Sequence, residues 1–218
     1  MDLAYIVGQE HARRVMEVCA AGGHSAIAFS APGNGGATFR RAYEPLTAGL
    51  GCPGSWRAAR PCPCGYRGDV VHHCTCEERE IVDYRNQHFA GEPADIVLEI
   101  ARLPVEKLMR GLAGNANEST AKVRARVDAA RAIQEGRGAL NGQASGTAVL
   151  TDSAFALNDS CRALMTRAVE RLGLSMAAYL GILRVSRTIA DLAGAEHIEV
   201  PHLAEAVQYR AGWESIRA

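Results

Sequence analysis

Ser25-Ala26-Ile27-Ala28-Phe29-Ser30-Ala31-Pro32-Gly33-Asn34-Gly35-Gly36-Ala37-Thr38 is the stretch on which the fold turns. Ser25 to Phe29 is a short apolar run suited to a buried strand, and it leads straight into a proline- and glycine-rich turn. A helix is expected after the turn, from about Ala37 to Glu44, with Pro45 as its end because proline breaks the helical hydrogen-bond ladder. Upstream, Ala12, Val15, Met16 and Cys19 recur at three- and four-residue steps, which predicts a helix over 9–20 stopped by Gly22-Gly23. Strand, glycine-rich turn, helix is the layout of a phosphate-binding loop.

A working loop of this kind reads Gly-x-x-x-x-Gly-Lys-Ser/Thr: backbone N–H groups cradle the phosphates, lysine neutralises them and the hydroxyl holds magnesium. Here the first glycine is Ser30, the lysine is Gly36 and the hydroxyl residue is Ala37, with Thr38 one place late. Gly33, Asn34, Gly35, Gly36, Ala37 and Thr38 are therefore a degenerate nucleotide-binding set. ATP or ADP binding is expected to be weak or absent, because at most the backbone cradle survives. An ATPase also needs an acidic pair on a hydrophobic strand. No such strand is expected between Ala37 and Cys62, where Glu44 is the one acid.

From Ala48 to Cys76 the composition shifts to Gly, Pro, Cys and Arg, a loop-rich stretch that needs a staple. Cys62-Pro63-Cys64 and Cys74-Thr75-Cys76 bracket Gly65 to His73, and two thiolate pairs at the ends of a short bend suit a closed, structural Cys₄ zinc site. The one-residue spacing within each pair is tighter than in ordinary zinc fingers. Two disulfides or free thiols are the alternative, disfavoured by the lack of an export signal, which also makes the cytoplasm the expected location. His72 and His73 abut the second pair as substitute ligands or solvated neighbours. Cys19 and Cys161 fall on apolar helix faces as core residues.

The bulk numbers exclude several classes. The chain has 218 residues with 24 basic and 24 acidic side chains, so no global field favours nucleic acid or membrane. No apolar run approaches the ~20 residues needed to cross a bilayer. Glu77 to Asn86 reads as helical, Ile96 to Ile100 as a second strand, and Pro104 as the opening of a short helix. The C-terminal half is helical: Ser119 or Thr120 caps a helix through Gln134, and Asn158 or Asp159 caps one through Leu172 before Gly173. Ser175 starts a long helix through Leu192, and Pro201 opens the last.

Several segments together resemble the magnesium-chelatase-like AAA+ proteins of the ComM/YifB type. They are Val7-Gly8-Gln9-Glu10-His11-Ala12-Arg13-Arg14, Pro61-Cys62-Pro63-Cys64-Gly65-Tyr66, Val123-Arg124-Ala125-Arg126-Val127, and above all Arg171-Leu172-Gly173-Leu174-Ser175 with Ile182-Leu183-Arg184-Val185-Ser186-Arg187-Thr188-Ile189-Ala190-Asp191-Leu192. The resemblance implies a truncated, degenerate member of a family of hexameric ATPases, one of which, ComM, drives DNA branch migration. The family's N-terminal domain is not expected here, since the chain begins at the ATPase module. The family's γ-phosphate sensor asparagine corresponds to Arg60, its arginine-bearing Asp-Arg stretch to the region of Gly91-Glu92-Pro93-Ala94-Asp95, and its second sensor arginine to Ala177.

The expected fold is mainly α with a small α/β remnant of an AAA+ core over 1–50, a zinc loop with a strand and helix over 51–117, and a helical lid of four helices over 118–218. The function this implies leans away from an enzyme. It is a zinc-stapled binding or regulatory module that docks onto an AAA+ partner or a DNA-processing complex, or self-associates, with Arg60, Arg124, Arg126, Arg131, Arg184 and Arg187 as candidate contacts to DNA or partner. Their alternative use is pairing with acids and snorkelling over the bundle. A second reading is a nucleotide-binding subunit of a mixed ring in DNA uptake or recombination, supplying Arg60 or Arg124 in trans; a third is a folded but decayed gene product.

Overall fold

A computed structural model describes residues 1–89, 94–111 and 117–214. Helix α1 (Glu10–Gly22) leads into strand β1 (Ser25–Ser30), the phosphate-type turn and helix α2 (Gly36–Thr47). Strand β2 (Ser55–Ala59), the cysteine loop, helix α3 (Glu78–Phe89), strand β3 (Ile96–Ile100) and the short α4 (Val105–Arg110) follow. The remainder is helical: α5 (Thr120–Gly136), α6 (Gly146–Thr151), α7 (Asp159–Leu172), α8 (Met176–Leu192) and α9 (Val200–Glu214). The capping positions are those the sequence supplies: Ser119, Asn158 and Ser175 each accept a backbone N–H from the first turn, and Gly173 closes α7 in the left-handed conformation.

The three strands form one parallel sheet in the order β2-β1-β3, with Ile27 in register with Arg57 on one side and Val97 on the other. Central β1 is buried on both faces, and its side chains divide between two layers with the two-residue period of a strand. Ala26 and Ala28 join Trp56, Ile96 and Leu98 in a large core shared with α1, α2, α5 and α8. Ile27 and Phe29 face the other way, where Phe89 and Tyr84 of α3 cover them together with Val97. The chain leaves β1 toward β2 on one side and reaches β3 on the other, so the turn after β1 sits at the switch point where open α/β sheets place their ligands.

The large core runs from Leu3 to Tyr209 and joins residues of all three expected segments. Helix α8 is its axis: Ile182, Leu183, Val185 and Ile189 are buried against α5, α9 and α1. One sequence expectation is corrected here, and one strand was not foreseen. Pro45 does not end α2, which continues to Thr47; in the helix's last turn the proline deprives only the Arg41 carbonyl of its donor, and the Met1 amino group approaches that oxygen at 3.4 Å. The unforeseen strand is β2, between Ala37 and Cys62. Ser-Trp-Arg-Ala-Ala has no apolar run to announce β2; the edge position in a parallel pair with β1 imposes the strand, and Trp56 anchors it against Phe39 and Tyr43. That strand carries no carboxylate.

Candidate functional site

The turn after β1 has the backbone of a phosphate loop. Gly33 and Gly35 both take positive φ, 87° and 94°, which lets the chain fold back onto the first turn of α2. Gly36, in the lysine position, is hemmed in: a Cβ there would lie 2.8 Å from Ser30 Oγ and 3.3 Å from Ala58 Cβ. The serine in place of the first glycine and the glycine in place of the lysine thus fit each other sterically. Asn34 turns its amide N–H₂ toward Asp69 Oδ2 at 3.4 Å, and its Oδ1 is buried with no hydrogen-bond partner. Ala37 and Thr38 lie on the first turn of α2, which carries no lysine.

Beside this turn the four cysteines Cys62, Cys64, Cys74 and Cys76 converge, all sulfurs lying within 4.8 Å of one another. Cys62 Sγ is 3.4 Å from Cys64 Sγ and 3.7 Å from Cys74 Sγ, and Cys64 Sγ is 3.6 Å from Cys74 Sγ. A tetrahedral ion with metal–sulfur bonds of ~2.3 Å needs sulfur–sulfur edges of about 3.8 Å, so the set fits zinc and is far too open for disulfides at ~2.05 Å. Backbone N–H groups of Tyr66 and Thr75 aimed at Cys64 draw its pKa down to about 6. Cys74 is raised, first by burial and then by its sulfur neighbours. Mutual repulsion of this kind is what a divalent cation relieves. The donor set is all sulfur and closed, the character of a structural site rather than a catalytic one. The histidines stay outside it: His72 Nδ1 lies 3.5 Å from Asp69 Oδ1 and its ring stacks on Tyr66, while His73 is exposed.

Asp69 is a residue of this region that the sequence reading missed. Its carboxylate accepts the backbone N–H groups of Val71 and His72 and a two-nitrogen contact from Arg102 just beyond β3, with Arg102 Nη2 at 2.9 Å. These donors, the His72 amide foremost, hold its pKa far below the usual carboxylate range. The Gly68-Asp69 pair between the cysteine pairs is a turn signal, but nothing local points to Arg102. A small hollow beneath is lined by Phe29, Ser30, Asn34, Asp69, Glu99 and Ile100, at the carboxyl ends of β1 and β3.

The candidate arginines divide by burial. Arg187 is fully buried and bonds Asp191 and the carbonyls of Ala154, Ala195 and Glu196. Arg131, also buried, donates to the carbonyls of Ala20 and Cys52. Both correct the expectation of outward contacts: carbonyls at a helix end and in turns, and for Arg187 a buried carboxylate, take their guanidinium groups. Arg126 bridges Glu17 and Glu118, Arg124 bonds Asp128 and the carbonyls of Leu46 and Ala48, and Arg184 reaches the Ala144 carbonyl. Arg60 is exposed at the carboxyl end of β2, its stem beside Gly65. Of the stretch Gly91 to Asp95, residues 91–93 lie outside the described residues, and Asp95 bonds His24 Nδ1 and the Ser25 N–H. Ala177 is exposed on the first turn of α8.

A buried polar chain, also unforeseen, ties the sheet to the helices. His24 contacts Asp95 through Nδ1 and Thr188 Oγ1 through Nε2 at 2.8 Å; Asn141 donates to Thr188 and to Asp191. Every member has its partners, so the chain fixes the packing of α8 against the sheet rather than leaving a reactive group free.

A central phosphate-type turn, a parallel sheet and a capped helical bundle are the frame of an AAA+ module, and two family descriptions match the chain. They are "Magnesium chelatase, subunit ChlI" over residues 2–50 and "Magnesium chelatase, subunit ChlI C-terminal" over residues 117–210. The chain belongs to the magnesium-chelatase-like AAA+ family of the ComM/YifB type. It is 38% identical over 158 residues to "Competence protein ComM" of Haemophilus influenzae and 36% identical over 159 residues to "Uncharacterized protein YifB" of Salmonella typhimurium. It is 33% identical over 159 residues to the Escherichia coli YifB protein. Each match covers 71% of this chain and 30% of the relative. The chain thus spans under a third of the length of these relatives. The cysteine loop lies between the two family-matched stretches. No helix among the described residues is long and apolar enough to cross a membrane.

Proposed function

We propose that this chain is a non-catalytic AAA+ module of the ComM type, stapled by zinc at Cys62, Cys64, Cys74 and Cys76, that works by docking onto an AAA+ partner. The observation that carries the reading is the chemistry of the switch point. Gly36 and Ala37 stand where a lysine and a hydroxyl residue are needed, Ser30 fits against Gly36, and β2 beside them has no carboxylate for magnesium. Helices α5 and α7 to α9 are read as the family's lid, the part that packs between neighbouring subunits. Zinc holds a loop of 13 residues between Cys62 and Cys76 that has no regular structure of its own. The relative named as a competence protein suggests a DNA-processing complex as the setting, with DNA reached through the partner.

The reading is tested with a full-length ComM-type protein from the same cell. Co-sedimentation of the zinc-loaded chain with that partner and a changed ATPase rate of the mixture support docking. No co-sedimentation with or without nucleotide, together with an unchanged rate, refutes it. Association that appears only with ATP, and is lost in Arg60→Ala, favours the mixed ring in which this chain supplies an arginine.

A further inference from the structure

The cysteine loop does more than close on itself. It lies against the phosphate-type turn at two places: Gly65, at φ 88°, sits so close to Pro32 that a Cβ would be 3.4 Å from its Cδ, and Asp69 meets Asn34. Asp69 is simultaneously held by Arg102, so one carboxylate joins the loop to the exits of both β1 and β3. Its own loop aims it, through the N–H groups of Val71 and His72, and its side chain is shielded from solvent. Under this contact lies the hollow lined by Phe29, Ser30, Asn34 and Ile100.

We propose that the cysteine loop is a metal-held cover over the carboxyl ends of β1 and β3, with Asp69–Arg102 as its clasp, closing the phosphate-type turn while metal is bound and exposing it when metal is lost. This rests on the metal reading above. The loop has two anchors, the sulfur cluster at its base and the Asp69 clasp at its crown. Ordering the 13 residues between Cys62 and Cys76 costs backbone entropy at every residue, and one ion pair cannot offset that. The cover therefore needs both anchors.

The test is hydrogen exchange read by mass spectrometry on the full chain, with zinc content measured separately by a chelating dye. Three samples are compared: zinc-loaded, chelator-treated, and zinc-loaded Arg102→Gln, which spares the loop's internal bonds. In the loaded chain, peptides over residues 30–36 and 99–103 should exchange slowly. Chelation should speed them about tenfold or more, and Arg102→Gln should speed them while retaining its zinc, with peptides of α5 and α8 unchanged. Asp69→Asn, which removes the clasp from the other side, should match Arg102→Gln. Equal rates with and without metal overturn the cover, as does an Arg102→Gln chain that holds zinc and exchanges like the parent. A parent chain that takes up no zinc overturns the metal reading beneath it, and the dye assay reveals that before exchange is measured.

Discussion

Replacing Arg187 by methionine should be among the most damaging single changes in the helical half. The guanidinium is 0% exposed and makes four contacts: Asp191 Oδ1 at 3.1 Å, and the carbonyls of Ala154, Glu196 and Ala195 at 3.3, 2.9 and 2.6 Å. Burial pulls its pKa below the ordinary arginine value, so the protein holds the charge at a desolvation cost that these partners offset. Removing one member of a buried pair costs about 3–5 kcal/mol. Asp191 keeps Arg137 and Asn141, and the carbonyls of Ala195 and Glu196 lie in a partly exposed turn where water can replace the lost donors. Those two facts place the loss near the lower end, about 3 kcal/mol, or roughly 6–12 °C in Tm for a chain of this size. Methionine roughly conserves the stem, so the measurement reports the polar network rather than a cavity. Urea denaturation of parent and Arg187→Met chains, with equal slopes, gives the difference directly. A loss below about 1 kcal/mol would show that Arg187 is a tolerated passenger in the core.

Cys62→Ser should lower the melting temperature to that of the chelated parent chain and remove further sensitivity to chelation, because structural zinc binding is worth several kcal/mol; a melting temperature unmoved by chelator contradicts the staple. Gly36→Lys with Ala37→Thr should restore the two missing side chains of the phosphate-type turn without restoring ATP hydrolysis, since β2 still lacks a carboxylate; turnover by this variant would mean that magnesium is held elsewhere. Ser30→Gly added to that pair should recover stability lost to the contact between a new Cβ and Ser30 Oγ, readable as a rise in Tm. Glu118 is held down to about 2 by Arg126 and Lys122 from the usual 4.5. A depressed carboxylate stabilises above its unfolded value and loses that contribution as pH falls from about 4.5 to about 2. Glu118→Gln should therefore flatten the acid limb of the stability–pH curve, and an unchanged limb would contradict the pairing.

How much of this was legible in the sequence follows from which interactions are local. Caps, the β1 strand, the glycine turn and the apolar faces of α1 and α8 all announce themselves over a few residues, and they stand where the patterning put them. The cysteine cluster was legible for a different reason: two tight thiol pairs flanking a short glycine-bearing bend suit a tetrahedral ion, and the sulfurs converge. Strand β2 was not legible, because Ser55 to Ala59 has no strand pattern and is held by pairing with β1 and by Trp56. Pro45 misled because its cost depends on position in the helix rather than on identity. The arginines misled most. A basic residue on a helix is usually solvated, yet Arg131 and Arg187 satisfy carbonyls that other elements bring to them from up to 111 residues away. Asp69 and Arg102 share the same difficulty: their partnership is made by the fold.

On the proposed function, the site keeps the form of a nucleotide-binding loop and has lost its chemistry. That reading is tested most directly by titrating the purified, zinc-loaded chain with magnesium-ATP, with calorimetry for binding and phosphate release for turnover. No turnover is expected, and no binding tighter than about 1 mM, an interaction of about 4 kcal/mol, since only the backbone cradle is left to meet the phosphates. Hydrolysis by the chain alone, or micromolar binding, would contradict it and return Gly36 and Ala37 to the list of working residues.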